Sequence, residues 1–404
     1  MQNPNLDRAH KLEGFIKLDP DNVDLLRELA DCHHRGGNQV RAIELYDHLT
    51  ALSGETLVLL NAKGMALLAI GRWQDAAAVF SKAVEGDHNA APLLFNLGYS
   101  QLASGAAREA VGNLARAAEQ LTDDPRVRYL LALAHEEVGD SDKAEAELSR
   151  VIQLDPTHHD ALSFSAHLQI AKGRIEQARQ TLARLLEAHP RSSEALWLHG
   201  QFEMLNFNAE KALEYLRRAE TIAPNDADIL IAIGQANLML QRATAARQAV
   251  ARAIALDCNE PMAQAAMGWA LLFEDSLAES EKYFAEALRI DPEQADALAG
   301  LALIYIGQDD LARAQEMLQR AKRIDPADAA VLLTEGAIAH KQGNPDIIRQ
   351  VLDELLATNS LGQAGWTNRE LIERAGQSPT GKRVAGKWAR YLRRQQRKQG
   401  VVPS

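Results

Sequence analysis

Cysteine is nearly absent from this chain. Among 404 residues only Cys32 and Cys258 occur, far apart and in no CxxC pair. Structural disulfides and cysteine zinc sites need paired or closely spaced cysteines. The sequence therefore gives no sign of a disulfide framework or of a zinc site, and we expect a reducing compartment.

Long apolar segments are also missing. The sequence contains no run of 18 or more apolar residues, the length associated with a membrane-spanning helix. Its first residues, MQNPNLDRAHKLEGF, have no apolar core of the kind found in secretory signal peptides. We therefore expect a cytoplasmic location.

Motifs that carry catalysis or hold cofactors are missing as well. We find no glycine-rich nucleotide loop, no nucleophile elbow and no HExxH pair. The pairs His33-His34 and His158-His159 are adjacent, and neighbouring side chains on a helix point about 100° apart. Neither pair therefore offers both rings to one metal ion. We expect no enzyme activity, no cofactor and no metal.

What the chain does have is a repeat of fixed length. Ten stretches of 34 residues follow one another without insertion or deletion from Val23 to about Gly362. Aromatic residues make up only 5% of the chain while Ala and Leu are abundant, which favours close-packed helices. A fixed period means one supersecondary unit stacked on copies of itself. The eighth position is always small: Ala30, Gly64, Gly98, Ala132, Ala166, Gly200, Gly234, Gly268, Ala302 and Gly336.

Other positions of the repeat predict two helices per unit. Position 20 is mostly Ala, which allows a close helix crossing with position 8, and position 24 is large and apolar, as at Phe80 and Leu114. Asp-Pro pairs such as Asp155-Pro156 predict the end of the second helix, because the residue before proline avoids the α region.

Position 15 predicts the turn between the two helices. It is Gly in six units, as at Gly37 and Gly139, where a helix C-terminus needs positive φ. In four consecutive units the glycine is replaced, and there the sequence does not predict the same turn. The replacements are Phe207, Gln241, Asp275 and Asp309.

These positions resemble the tetratricopeptide repeat, whose pattern has a small residue at 8, Ala at 20, an aromatic or Leu at 24, Ala at 27 and Pro at 32. The resemblance covers residues 23–362 and implies an all-α fold, a right-handed α-solenoid (superhelix) of helix-turn-helix units. Residues 1–22 resemble a half-repeat that caps the N-terminus. For residues 363–376 we predict a C-terminal cap helix started by a capping box at Thr367, and for residues 377–404 a hinge and a basic tail.

The resemblance also implies an inner groove lined by the first helix of each unit, chiefly at positions 2, 5, 6, 9, 12 and 13. Positions 5 and 9 carry bulky apolar side chains, and position 2 carries acids and one base. Aromatic anchors give affinity and complementary charges give selectivity in protein interfaces. We therefore predict a groove for a protein segment with basic and bulky apolar residues. The candidate residues are Met65, Phe95, Tyr99, Arg126, Tyr129, Asp160, Glu194, Trp197, Asp228, Ile231, Trp269 and Asp296.

The same residues have a purely structural interpretation. Side chains at positions 5 and 9 can fill gaps between neighbouring helices, and acids at position 2 favour a helix N-terminus. The Lys, Asn and Arg clamp by which some tetratricopeptide modules hold the C-terminal carboxylate of chaperones is missing from any three consecutive units. Binding of chaperone tails is therefore not expected.

The C-terminal tail differs in charge from the rest of the chain. Residues 382–398 hold eight of the 44 Lys and Arg and no acid. Val384, Trp388, Tyr391 and Leu392 recur with helical spacing, which predicts a basic amphipathic helix. Such a helix can bind an anionic membrane, a nucleic acid, an acidic partner or the chain's own groove, or it can be a solvated tail. The tail residues are Lys382, Arg383, Lys387, Trp388, Arg390, Tyr391, Arg393, Arg394, Arg397 and Lys398.

These features favour a non-catalytic scaffold or adaptor whose groove holds a segment of a partner protein. Two alternatives stay open. The chain is a peripheral recruiter whose tail binds an anionic membrane, a nucleic acid or an acidic partner, or it is an accessory subunit of a separately encoded enzyme or of a secretion or assembly complex. The sequence does not indicate an oligomeric state.

Overall fold

The structure is a computed structural model and describes residues 4–87, 90–206, 208–256 and 259–351. Throughout these residues the regular elements are α-helices, so the prediction of an all-α repeat fold is confirmed. The predicted cap helix of 363–376 and the hinge and basic tail of 377–404 lie outside the described residues, as do Phe207 and Cys258.

The chain divides into two compact units, and the first spans Met1–Ala188. A single helix, α1, precedes five antiparallel pairs in which each helix packs on the next along the chain. The helices are α1 (Pro4–Ile16), α2 (Val23–Arg35), α3 (Gln39–Ser53), α4 (Leu57–Ala69), α5 (Trp73–Gly86), α6 (Ala91–Ala103), α7 (Ala107–Gln120), α8 (Pro125–Glu137), α9 (Ser141–Leu154), α10 (His159–Ala171) and α11 (Ile175–Ala188).

The second unit spans His189–Ser404 and repeats the same pairing. After its last complete helix, residues 345–351 are also helical. The helices are α12 (Ser193–Leu205), α13 (Ala209–Ile222), α14 (Ala227–Met239), α15 (Ala243–Ala255), α16 (Pro261–Phe273), α17 (Leu277–Ile290), α18 (Ala295–Gly307), α19 (Leu311–Ile324) and α20 (Ala329–Lys341).

The small residue at position 8 makes room for the large residue at position 24 of the same pair. A Cβ atom placed on Gly98 would lie 2.5 Å from Cγ of Leu114, and one on Gly268 would lie 2.7 Å from the ring of Phe284. From the sequence, the expected partner of position 8 is the Ala at position 20. In the structure the atoms nearest to these glycines belong instead to position 24, so that residue is the close neighbour.

The turn at position 15 is kept even where glycine is replaced. The six glycines at this position have φ between 68° and 86°. Gln241, Asp275 and Asp309 adopt φ of 58°, 66° and 60°, although a left-handed conformation costs a residue with a Cβ about 1–2 kcal/mol. The helix packing on both sides therefore fixes the turn more strongly than the residue in it.

The Asp-Pro pairs end the second helices as predicted. Helix α9 ends directly before Asp155, and α17 ends directly before Asp291. The carboxylate of each aspartate accepts a hydrogen bond from the backbone N–H two residues later in the chain. Asp155 Oδ1 accepts from the Thr157 N–H at 3.0 Å, and Asp291 Oδ1 accepts from the Glu293 N–H at 2.9 Å. Such a turn satisfies backbone donors between two helices.

First helices also pack directly on the first helices of neighbouring pairs. Helices α4, α6 and α8 do so in the first unit, and α12, α14, α16, α18 and α20 do so in the second. Ion pairs join neighbouring pairs as well, for example Arg242 with Glu210 and Arg252 with Glu220. The first helices α4 to α8 and α12 to α20 therefore each form a layer within their unit.

Candidate functional site

Positions 2, 5 and 9 of the first helices share one side of each helix, because residues three and four apart are neighbours on a helix surface. We call these side chains the first-helix face. All twelve candidate residues occupy one of these three positions. Their burial differs widely, so the structure divides them into distinct groups.

In the first unit, four of the candidates form aromatic contacts, and three of these, Phe95, Tyr99 and Arg126, stand on α6 and α8. The guanidinium of Arg126 lies over the ring of Phe95, 5.8 Å from its centroid. Tyr99 is exposed, and its ring contacts the ring of Trp73 edge-on, with centroids 6.0 Å apart. Arg126 on α8 thus reaches Phe95 on α6, a cation–π contact.

The remaining candidates of the first unit lie more separately. Tyr129 is half-buried, and its ring contacts that of His158 with centroids 5.5 Å apart. Met65 is exposed, and so is Asp160, whose carboxylate lies 3.2 Å from Nδ1 of His159. No single pocket is defined by these three residues, which stand on α4, α8 and α10.

Arg126 already forms an ion pair at the N-terminus of its own helix. Its guanidinium makes an ion pair with Asp124, the N-cap of α8, at 2.7 Å. The hydrogen bond from Arg126 lowers the pKa of the Asp124 carboxyl, as do the backbone bonds that the cap receives. The one basic candidate is therefore largely neutralised by a neighbouring acid.

In the second unit, Trp269 and Asp296 form the central contact. The side-chain N–H of Trp269 on α16 hydrogen-bonds the carboxyl group of Asp296 on α18, which also accepts from the Ala297 N–H at 2.8 Å. Both side chains are half-buried. The Trp269 ring packs edge-on against Phe284, with centroids 5.5 Å apart, so one end of the ring is anchored in the core.

The electrostatic surroundings of Asp296 are unfavourable for its charge. Burial raises the pKa of the Asp296 carboxyl above its usual range, and the nearby carboxylate of Asp328 raises it further. The hydrogen bonds from Ala297 and Trp269 act in the opposite direction but do not cancel the effect. A cationic group beside Asp296 would remove this penalty.

The other candidates of the second unit range from exposed to buried. Glu194 and Asp228 are exposed at the starts of α12 and α14. Trp197 is half-buried, and its indole nitrogen finds no hydrogen-bond partner among the described residues. Ile231 is only 4% exposed and packs in a core cluster with Val250 and Met267. Its side chain is therefore part of the packing between helices.

Three exposed apolar residues on the first helices of the second unit are missing from the candidates. Phe273 is exposed on α16 and contacts the Trp269 ring, with centroids 5.9 Å apart. Met262 and Leu333 are exposed on α16 and α20. They occupy positions 13, 2 and 5, all of which belong to the set of groove positions. Reading each of those positions in each unit would have found them.

Within the described ranges, no three or more His, Cys, Asp and Glu side chains are placed so that they could hold a metal ion. No helix in that part of the chain combines the length and the apolar character needed to cross a membrane.

Family models for known repeats match the chain over much of its length. One model for the tetratricopeptide repeat matches residues 3–55, 95–159 and 208–261, and a second matches 136–201 and 271–338. The chain belongs to the tetratricopeptide repeat family. Tetratricopeptide repeats form a protein-interaction fold that is generally non-catalytic.

Solved structures of other proteins also match this chain. A tetratricopeptide repeat protein from Parabacteroides merdae is 18% identical with a TM-score of 0.52, and the match covers 64% of this chain and 98% of that chain. PilF of Pseudomonas aeruginosa is 19% identical with a TM-score of 0.44, covering 51% and 94%. Yeast Tom70 is 13% identical with a TM-score of 0.41, covering 94% and 92%. The structure from Parabacteroides merdae supports the fold alone. No curated protein matches the sequence.

Proposed function

We propose that this chain is a non-catalytic scaffold or adaptor that binds a segment of a partner protein on the first-helix face of its second unit. The observation that carries the proposal is the Trp269–Asp296 pair. It sets a half-buried aromatic ring and a partly desolvated carboxylate side by side on neighbouring first helices. Aromatic anchors flanked by charged groups are typical of residues that dominate protein interfaces.

The chemistry of this surface supports a particular kind of partner segment. Phe273 is exposed and contacts the Trp269 ring, and Met262 and Leu333 are exposed on α16 and α20. A contiguous exposed apolar patch is typical of an interaction site. Asp296 and Asp328 add negative charge that no described basic side chain neutralises by an ion pair. The partner segment would therefore carry bulky apolar residues together with Lys or Arg. The proposal places this activity in the cytoplasm.

Two variants test this function: one adds a positive charge to the first-helix face, and the other adds the same charge to a different exposed surface of the second unit. Leu333→Lys introduces a cation on the first-helix face, and Ile324→Lys introduces one at the end of α19, where an aliphatic side chain is likewise exposed. A partner is first isolated by affinity capture, and its binding to purified wild-type and variant chains is then measured by calorimetry. We expect Leu333→Lys to weaken binding about tenfold or more, as for an interface residue, and Ile324→Lys to leave it unchanged. Equal effects of the two variants would overturn the proposal.

A second candidate function is favoured by one feature of the sequence. The eight bases of residues 382–398, without a single acid, would attract an anionic membrane or a nucleic acid. In that case the tail recruits the chain to a surface and the first-helix face has a secondary role. Binding of the full chain to anionic vesicles and to duplex DNA, each measured against salt, separates this function from the first. An accessory role beside a separately encoded enzyme or in a secretion or assembly complex is compatible with either.

A further inference from the structure

We propose that the chain's own basic segment, residues 382–398, docks on the surface of the second unit formed by Trp269, Phe273, Asp296, Asp328 and Leu333. These residues stand on or directly before α16, α18 and α20, and α18 packs on both of the other two helices. We call this surface the acidic-aromatic patch. The inference rests on the proposed function, because it assumes that the patch is a binding surface, and it names an internal competitor for the partner.

In the described part of the chain, no ion pair joins Asp296 or Asp328 to a basic side chain. The ion pairs of the second unit use other acids, such as Glu335 with Lys322 and Asp309 with Lys341. Asp296 accepts from uncharged donors, among them the Trp269 indole and the Ala297 backbone. Asp328 caps the start of α20 through the Ala330 and Val331 N–H groups. Two carboxylates that repel each other at a partly buried site favour the approach of a cation.

The basic segment has the composition that the patch requires. It carries eight Lys and Arg and no acid, so its charge is opposite to that of the patch. Trp388, Tyr391 and Leu392 supply bulky apolar side chains between the bases. Trp269, Phe273 and Leu333 offer apolar surface of matching kind. Charge and apolar character therefore correspond on both sides of the proposed contact.

The connection along the chain is long enough. Val351 ends the described part of the second unit, and about 30 residues separate it from Lys382. Even if all of them were helical, at about 1.5 Å per residue, they would span about 45 Å. Packed helices lie about 10 Å apart, and residues 345–351 follow α20, which packs on α18. The patch is therefore only about 20–30 Å from Val351. A tethered segment of this kind acts at an effective concentration of about 1 mM.

Cross-linking of the full chain tests where the segment lies. A carbodiimide joins carboxylates to amines in direct contact, and the products are identified by mass spectrometry. We expect links from Lys382, Lys387 or Lys398 to Asp296 or Asp328, with a yield that does not fall on dilution. Links that disappear on dilution would place the segment on a second copy and overturn docking within one chain, as would the absence of these links.

A competition experiment tests what the contact does. The probe is a synthetic peptide with the sequence of residues 382–398, and the receptor is the full chain with Arg390, Arg393 and Arg394 changed to Gln. We expect the peptide to bind this variant about tenfold more tightly than it binds wild type, whose own segment occupies the patch. Equal affinity for the two chains would overturn the proposal.

Matched charge removals locate the contact on the patch. In the background with the three Gln substitutions, Asp296→Asn with Asp328→Asn should weaken peptide binding about tenfold, because Asn keeps the cap and the acceptor for Trp269 but loses the charge. Glu279→Gln with Glu316→Gln removes the same charge from exposed positions of α17 and α19 and should leave binding unchanged. Equal losses in both pairs would mean that the peptide follows net charge alone, and the patch would be wrong.

The two proposals fail in different ways. If Leu333→Lys abolishes partner binding while the Gln-substituted tail leaves partner affinity at the wild-type value, the proposed function stands and docking of the tail is wrong. If the cross-links form and Leu333→Lys does not change partner binding, docking of the tail stands and the proposed function is wrong.

Discussion

The indole N–H of Trp269 donates a hydrogen bond to the carboxyl group of Asp296. One residue is at position 9 of a repeat and the other at position 2 of the next, so the bond joins two successive first helices. Burial of the Asp296 carboxyl group raises its pKa, and the nearby charge of Asp328 raises that pKa further. This pair therefore combines a structural contact with an unfavourable charge.

Replacing the charge at Asp296 should stabilise the fold near neutral pH. Because the folded-state pKa is raised, the favourable contribution of this group is complete below the ordinary Asp pKa of about 3.9 and is lost as pH rises through the raised value. Asp296→Asn cannot ionise and still accepts from Trp269. We expect a higher Tm than wild type at neutral pH and a difference that vanishes under acid conditions, measured by circular dichroism.

Asp291 is the control with the opposite sign. The Glu293 N–H and the Gln294 side chain donate to its carboxylate and lower its pKa, so its contribution is present above the ordinary Asp pKa and is lost as pH falls through the lowered value. Asp291→Asn should therefore lower Tm at neutral pH and have less effect in acid. If both variants shift Tm in the same direction at neutral pH, the account of Asp296 is wrong.

Gly98→Ala should destabilise the first unit by about 1–3 kcal/mol, since the added Cβ would lie 2.5 Å from Leu114 in a packed core. Gly112 provides a matched control on the adjacent helix α7, where a Cβ would meet no atom within 4 Å. Gly112→Ala should stabilise by about 0.5–1 kcal/mol because Ala favours a helix interior. Urea unfolding of both variants measures the difference. A neutral Gly98→Ala would show that the helix pair adjusts freely.

Asp275→Gly should stabilise the second unit by about 1 kcal/mol, because φ of 66° is unfavourable for a residue with a Cβ. Gly105 occupies the same turn position with φ of 83°, and a Cβ there would meet no atom within 4 Å. Gly105→Asp should therefore destabilise by a similar amount, through conformation alone. Thermal unfolding checks both. Stabilisation by both substitutions would contradict a conformational origin.

Glu147 should matter more than acids in exposed ion pairs. Its side chain is 12% exposed and pairs with Arg128, which is 13% exposed. Glu147→Ala leaves that arginine without its carboxylate, and we expect a loss of about 2 kcal/mol. Glu286→Ala breaks an exposed pair with Arg289 and should change the midpoint of urea unfolding very little. Comparable losses would mean that burial does not control the strength of these pairs.

The helix pairs could be predicted because each follows from a local rule. Small residues at position 8, the turn at position 15 and Asp-Pro at the helix end are properties of a single repeat. The left-handed turns at Gln241, Asp275 and Asp309 could not be predicted, because their conformation comes from the packing of the helices on either side and not from the residue in the turn.

The burial of the candidate site residues could not be predicted from the pattern of a single repeat. Ile231 and Phe95 both occupy position 5, yet one is buried and the other half-buried. The depth of a side chain on the first-helix face depends on the residues that the next first helix presents to it. The Trp269–Asp296 contact likewise joins two repeats, and the sequence named both residues without pairing them.

In both units, the extensive contacts among the described helices join a pair to itself or to the next pair along the chain. Stability in such an array is close to a sum of nearest-neighbour terms. A helix pair at the end of such a series can then unfold while the interior pairs stay folded. Amide hydrogen exchange should therefore be fastest in the end pairs and slowest in the middle ones. A whole 34-residue repeat could be added or lost during evolution without disturbing the packing of pairs further away.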